Sequence, residues 1–174
     1  MSCIKLAIIG AGKVAQDYHV PAIATHKAFH LLACASTHGS LHGVQHFESI
    51  GDLLEAASTI DAVAICTPPQ VRYAIAQRCL ERGLHVFLEK PPAATLGQVE
   101  ALVAQARRHN VALFAAWHSF EAGGLQPARE WLAKRKIRSI DLRWKEDVRV
   151  WHRGQEWIWK PGGLGVFDPG INAL

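Results

Sequence analysis

Three groups of residues in this 174-residue chain have types and spacings that could do chemistry. Gly10-Ala11-Gly12-Lys13-Val14-Ala15 follows a short apolar run directly and opens a segment of helical period. Gly10 permits a tight turn, Gly12 lets backbone approach a pyrophosphate, and Ala15 fills the third small position, where helix and strand pack closely. Free N–H groups at the helix start, from Gly12, Lys13 and Val14 onward, would then hold the phosphates. Lys90 ends another apolar run and is followed by Pro91 and Pro92, which stiffen its backbone. In its neutral form, favoured by burial and a positively charged neighbour, its amine could accept a proton. Asp168 is a rival proton acceptor that needs no such tuning. Asn172, four residues on and on the same helical face, could hydrogen-bond a hydroxyl-bearing ligand without charge. A dinucleotide turn combined with a proton acceptor suits hydride transfer, in which a hydroxyl proton is removed as hydride leaves carbon for nicotinamide.

The elements that must position these groups follow from periodicity. Apolar runs at 4–9, 31–35, 62–66, 86–88 and 111–116 alternate with helix-period segments at 14–25, 50–57, 71–82 and 96–108. The runs are nearly continuous in hydrophobicity, as strands covered on both faces must be. This alternation predicts an α/β fold, a Rossmann doubly wound parallel sheet over residues 1–119, with Thr95 starting a helix and Gly83 ending one. Both the glycine turn and Lys90 then fall at the carboxyl edge of the strands, where ligands lie in such sheets. After Trp117 the pattern changes. A short helix at 126–134 precedes Ile137–Val148, where Ile140, Leu142 and Trp144 alternate with charged residues and predict a half-buried, antiparallel-type strand. A Trp- and Gly-rich loop leads to a helix expected near Asp168. Residues 120–174 are thus expected to be the start of an α+β domain, in an N-terminal portion of a longer protein.

Composition narrows the partners. Lys and Arg exceed Asp and Glu by 19 to 15, too small an excess to argue for nucleic acid. The basic run Lys134-Arg135-Lys136 with Arg138 sits at a predicted helix end, where cations complement the macrodipole. Cys3, Cys34, Cys66 and Cys79 have no CxxC spacing. The first three lie in or beside apolar runs and are expected to be reduced core thiols in a cytoplasmic protein. No leader-like segment opens the chain, and no apolar run approaches the ~20 residues of a membrane span. His38, His42 and His46 are four apart, but Gly39 and Gly43 interrupt any helix, so no metal site is expected. Ser119 lacks a GxSxG elbow. An acid usually ends the second strand of NAD-binding domains to hold the ribose hydroxyls, yet none occurs between Asp17 and Glu48. Ser36-Thr37-His38 stands there instead and could donate hydrogen bonds to a 2′-phosphate, so NADP is expected to be preferred over NAD.

Thr67-Pro68-Pro69 and Glu89-Lys90-Pro91 are hallmarks of one oxidoreductase family, and from Ile4 to Leu174 the chain resembles the glucose-fructose oxidoreductase and inositol dehydrogenase (Gfo/Idh/MocA) family. The stretches Trp144-Lys145-Glu146-Asp147-Val148, Trp151-His152 and Gly162 to Asn172 look like those of its members that oxidise aldoses such as L-arabinose and D-galactose at C1 to lactones. The resemblance implies that Thr67, Pro68, Glu89 and Lys90 lie beside the cofactor. It also implies that His118, Glu146, Trp151, His152, Asp168 and Asn172 lie near the sugar. It further implies a second domain with an open, mostly antiparallel sheet that carries the sugar site and often forms the interface of a homo-oligomer. Trp144, Trp157 and Trp159 are expected to pack in core or loop. The chain departs from the family pattern at Arg72 and Asn172, where many relatives have His, and at Phe120, where the sugar dehydrogenases have Arg; the Asn172 change is shared by that subgroup. Another polyol or sugar dehydrogenase, or a non-catalytic NADP(H) sensor, would fit the same fold, although a sensor needs no proton-transfer set.

Overall fold

Side-chain alternation along β1 (Ile4–Ile9) decides the layering of the first unit: Ala7 and Ile9 enter one apolar cluster and Leu6 and Ile8 another on the opposite sheet face. The computed structural model describes residues 3–56, 59–165 and 167–171, the side chains of Val148 and Pro169 apart. After β1 come a π-helical turn Ala15–His19 running into α1 (Val20–Thr25), β2 (Phe29–Ala35), β3 (Gln45–Phe47), α2 (Ile50–Ala56), β4 (Ala62–Ile65) and α3 (Pro69–Glu81). Next are β5 (His85–Leu88), α4 (Leu96–His109) and β6 (Leu113–Ala115). All strand pairs are parallel, in the order β3-β2-β1-β4-β5-β6. This is the doubly wound arrangement, with its switch point between β1 and β4. Leu53, Leu54, Ala76, Leu80, Leu102 and Ala106 pack α2, α3 and α4 on one face, while Ala15, Val20 and Ile23 pack the first helix on the other. Thr95 caps α4 as expected, its hydroxyl accepting the Gln98 N–H at 3.3 Å.

The chain divides into two compact units, residues 1–116 and 117–174. In the second, a 3₁₀ turn His118–Glu121 leads to α5 (Leu125–Ala133), α6 (Val148–Trp151), a 3₁₀ turn Glu156–Trp159 and α7 (Phe167–Gly170). The cation Arg135 closes α5, donating to the Trp131 carbonyl at 2.7 Å and lying over the Trp131 ring. Ile137–Val148 is not a strand. Ile140, Leu142 and Trp144 are exposed, and no ladder involves residues 137–147 among those described. The alternation is real, but a strand exists only when a neighbour takes its N–H and C=O groups.

Ile158, 1% exposed, anchors this unit, and Gly163 explains how. A Cβ on Gly163 would stand 2.0 Å from the Trp157 carbonyl oxygen and 2.5 Å from that of Ile158. Both are backbone atoms that cannot swing away. Gly165 N–H then donates to the Ile158 carbonyl at 2.9 Å, and the chain enters α7 at Phe167. Gly163→Ala is expected to cost about 2–3 kcal/mol, read as a lower urea midpoint by tryptophan fluorescence; an unchanged midpoint would refute this close approach.

The cysteines are all free, but Cys3 is exposed, while Cys34, Cys66 and Cys79 are buried. The core thiol absent from position 3 is supplied by α3, whose inner face holds Cys79. Burial pushes these three thiols up to about 11, 12 and 12, so none is a thiolate nucleophile. Among the described residues no helix is long and apolar enough to cross a membrane, and no group of three or more His, Cys, Asp or Glu could hold a metal ion.

Candidate active site

The two glycines of the turn are glycine for different reasons. Gly10 has φ +97°, and a Cβ there would meet the Thr67 N and Cγ2 at 3.0 Å. The turn after β1 is therefore pressed against the segment after β4, with the Gly10 N–H donating to the Ala35 carbonyl at 2.8 Å. Gly12 has no such demand: its φ is not positive, and a Cβ there would meet nothing within 4 Å. Neither backbone nor packing excludes a side chain at position 12. The open space above it fits a group brought in from outside, against the orphan N–H groups of the helix start. A second orphan lies nearby in the chain of contacts, because the Thr67 Oγ1 is buried and without a hydrogen-bond partner. A buried hydroxyl left so costs free energy that a ligand would return.

The remaining cofactor candidates are placed as follows. The Ser36 hydroxyl accepts the N–H groups of Ala11 at 3.3 Å and His38 at 3.2 Å and donates to the His38 carbonyl at 3.0 Å. It ties the glycine turn to the loop after β2, and its proton is used within that loop. Thr37 and His38 are exposed beside it. The Lys13 amine pairs with Asp17, whose hydrogen bond raises its pKa, while Val14 is half-buried against the α1-side cluster. Pro68 precedes α3 as its cap residue.

Lys90 is half-buried at the carboxyl end of β5, on a cis Lys90–Pro91 peptide. The Glu89 carboxylate accepts the Lys90 N–H at 3.2 Å and lies 2.7 Å from His19 Nε2. Burial alone would push the Glu89 carboxyl up. The His19 hydrogen bond and charge, the Lys90 N–H and the Arg72 guanidinium outweigh it and hold the pKa below the ordinary value. The carboxylate assigned to the cofactor by resemblance is thus engaged by the protein itself. His19 packs edge-on against Phe87, with centroids 5.3 Å apart. The helix that starts at the glycine turn is in this way clamped to the lysine segment.

Two residues of this clamp are absent from the sequence-based set: His19, and Arg72, whose guanidinium donates to the carbonyls of Thr67, Glu89 and Pro91. Neither has a local signal of its partners, although Arg72 stands out as a departure from the family pattern. His19 is 70 residues from Glu89, and Arg72 is 17 and 19 residues from two of its acceptors.

In the second unit Glu146 and His152 come together, with His152 Nε2 2.6 Å from Glu146 Oε1. Trp144 Nε1–H donates to Glu146 Oε2 at 2.9 Å, and His152 Nδ1 lies 2.9 Å from Gln155 Oε1. Trp144 and Trp159 are exposed, so of the expected core or loop packing the core is excluded for both; Trp144 orients Glu146 through its indole N–H. His118 and Trp151 are exposed, and Asp168 is 2% exposed with its N–H donating to the Gly165 carbonyl at 3.2 Å. Asn172 lies outside the described residues.

Comparison with known proteins identifies the family. Residues 4–117 match a family described as an oxidoreductase family with an NAD-binding Rossmann fold. The chain is 48% identical over its full length to galactose 1-dehydrogenase of Pseudomonas fluorescens, covering 56% of that protein. It superposes on the crystal structure of a D-galactose-1-dehydrogenase from Rhizobium etli with a TM-score of 0.90 and 52% identity, over 99% of this chain and 56% of that one. It is also 32% identical over 136 residues to D-glucoside 3-dehydrogenase of Escherichia coli, 74% of this chain and 39% of that protein. The chain therefore spans little more than half the length of its relatives, or less.

Proposed function

Since the chain belongs to the Gfo/Idh/MocA oxidoreductase family, we propose that the protein oxidises the anomeric carbon of an aldose of the galactose or arabinose type to its lactone. The observation that carries the reading is Lys90, held at the carboxyl edge of the sheet by Arg72, which also holds the Thr67 segment, and by Glu89, which His19 ties to the helix that follows the glycine turn. The backbone N–H groups from Gly12 onward, the Thr67 hydroxyl and the exposed Thr37 and His38 would hold an NAD(P) molecule. When bound, its nicotinamide supplies the acceptor for hydride.

The chain's own residues do the rest. Lys90 takes the proton of the C1 hydroxyl at its Nζ as the carbon is oxidised. We assign this to Lys90 over Asp168 because the lysine is half-buried, whereas Asp168 is 2% exposed. Glu146, oriented by Trp144 and His152, offers acceptors for sugar hydroxyls, and the exposed faces of Trp151 and His118 offer apolar and hydrogen-bonding surface. Asp168 and Asn172 would complete the sugar site.

We further propose that NADP is preferred. No acid occupies the turn after β2 to repel a 2′-phosphate, and the side chains of Thr37 and His38 can donate to one. Ser36 contributes by shaping that loop, since its proton is already used.

A panel of aldoses including galactose and arabinose, assayed with the full-length protein and either cofactor at 340 nm, tests the reading. Turnover with one of these sugars, with tighter binding of NADP than NAD, is the expected result. Tight cofactor binding without turnover of any sugar would favour the sensor reading, and a clear preference for NAD would overturn the NADP assignment.

A further inference from the structure

The backbone around Lys90 is pinned from both sides by side chains that lie far from it in sequence. On its amino side, the Lys90 N–H is held by the Glu89 carboxylate, itself fixed by His19. The two carbonyls that bracket Lys90, those of Glu89 and Pro91, are both held by one nitrogen, Nη1 of Arg72. The other terminal nitrogen, Nη2, holds the carbonyl of Thr67. Arg72 is 3% exposed in the first turns of α3, so its charge is taken out of water for this purpose. A guanidinium is a rigid fork of donors that can serve acceptors on two loops at once; an ammonium is a point charge on a flexible stem. Few other side chains could bridge the ends of β4 and β5 in this way.

We propose that Arg72 is the positioning residue of this site: without touching substrate, its guanidinium sets where the Lys90 amine stands relative to the Thr67 segment. What Lys90 does there rests on the dehydrogenase reading, but where it is held does not. The physical logic is that a proton acceptor must be placed to within a fraction of an ångström, and a displacement of about 1 Å costs on the order of 100-fold in rate. Loss of the fork leaves three carbonyls in competition for fewer donors, and the Lys90 segment is the part expected to shift, because it lies beyond the last ladder pair of β5 at Leu88.

The test uses Arg72→Gln and Arg72→Lys in the full-length protein, with two readouts. Amide hydrogen exchange across residues 88–93 is measured without ligand, and steady-state turnover is measured with the sugar found above. We expect exchange at Lys90 to rise about tenfold or more in both variants while β1 and β4 exchange as in wild type, and turnover to fall on the order of 30-fold with the sugar KM changed by less than about threefold. Should Arg72→Gln not fold, Arg72→Lys, which retains the buried cation, carries the same comparison. Wild-type exchange and turnover in a folded variant would overturn the proposal. So would exchange that rises throughout the domain in step with a lowered melting temperature, since that marks general stabilisation. If wild type turns over no sugar and exchange at Lys90 still responds, the positioning role stands and the dehydrogenase reading falls.

Discussion

Lys90→Ala is expected to lower turnover on the order of 1,000-fold while changing the cofactor dissociation constant by less than about threefold. The asymmetry follows from how the site is built. The backbone contacts that hold the Lys90 segment are the N–H to Glu89 and the carbonyls of Glu89 and Pro91 to Arg72. An alanine keeps all of them. The Thr67 segment, held by the third Arg72 bond and packed under Gly10, is equally unaffected. What is lost is the amine alone, and with it the group that removes the hydroxyl proton in the transition state. An interaction made only there lowers kcat and kcat/KM together and leaves ground-state binding alone. Turnover within about threefold of wild type would remove Lys90 from the proton transfer and hand that role to Asp168, for which Asp168→Asn is then the matching variant. A large loss of cofactor affinity in Lys90→Ala would show instead that the lysine binds the dinucleotide.

The parts of this site that the sequence made legible are those whose cause is local. The glycine turn could be read because strand, turn and helix are contiguous, with Gly10 in a left-handed backbone that only glycine takes easily. The helix start at Thr95 could be read because a cap acts over three residues. β3 was missed, since Gln45-His46-Phe47 is three residues long, has no apolar run, and owes its existence to pairing with Ala33, Cys34 and Ala35. Residues 137–148 show the converse error, in which a legible alternation predicts a strand that has no ladder partner among the described residues. The clamp of His19, Glu89 and Arg72 was beyond reach for a third reason. Its members are brought together by the sheet order, which places β4 between β1 and β5 and so gathers three chain segments at one edge. Sequence reasoning found the edge, its lysine and Glu89, but nothing within a few residues shows that His19 holds the Glu89 carboxylate.

Gly12→Val separates the cofactor cradle from the fold more cleanly than any change at Gly10. An alanine at position 10 would be strained by φ +97° and pressed on Thr67 at 3.0 Å, so a loss of binding there would be confounded with a loss of stability. At position 12 the backbone is not left-handed and a Cβ meets nothing within 4 Å, so the valine should be accepted with less than about 0.5 kcal/mol of change in the cofactor-free protein. Its two methyl groups then fill the space into which the pyrophosphate must come to reach the helix-start N–H groups. Affinity for NADP is expected to fall on the order of 100-fold or more, about 3 kcal/mol, with Gly12→Ala intermediate. Titration calorimetry and a melting curve without cofactor check both halves. Wild-type affinity in Gly12→Val would mean that the open space beside Gly12 is not where the dinucleotide lies. A melting temperature several degrees lower would mean that the space is needed by the protein's own packing, and that the second glycine serves the fold after all.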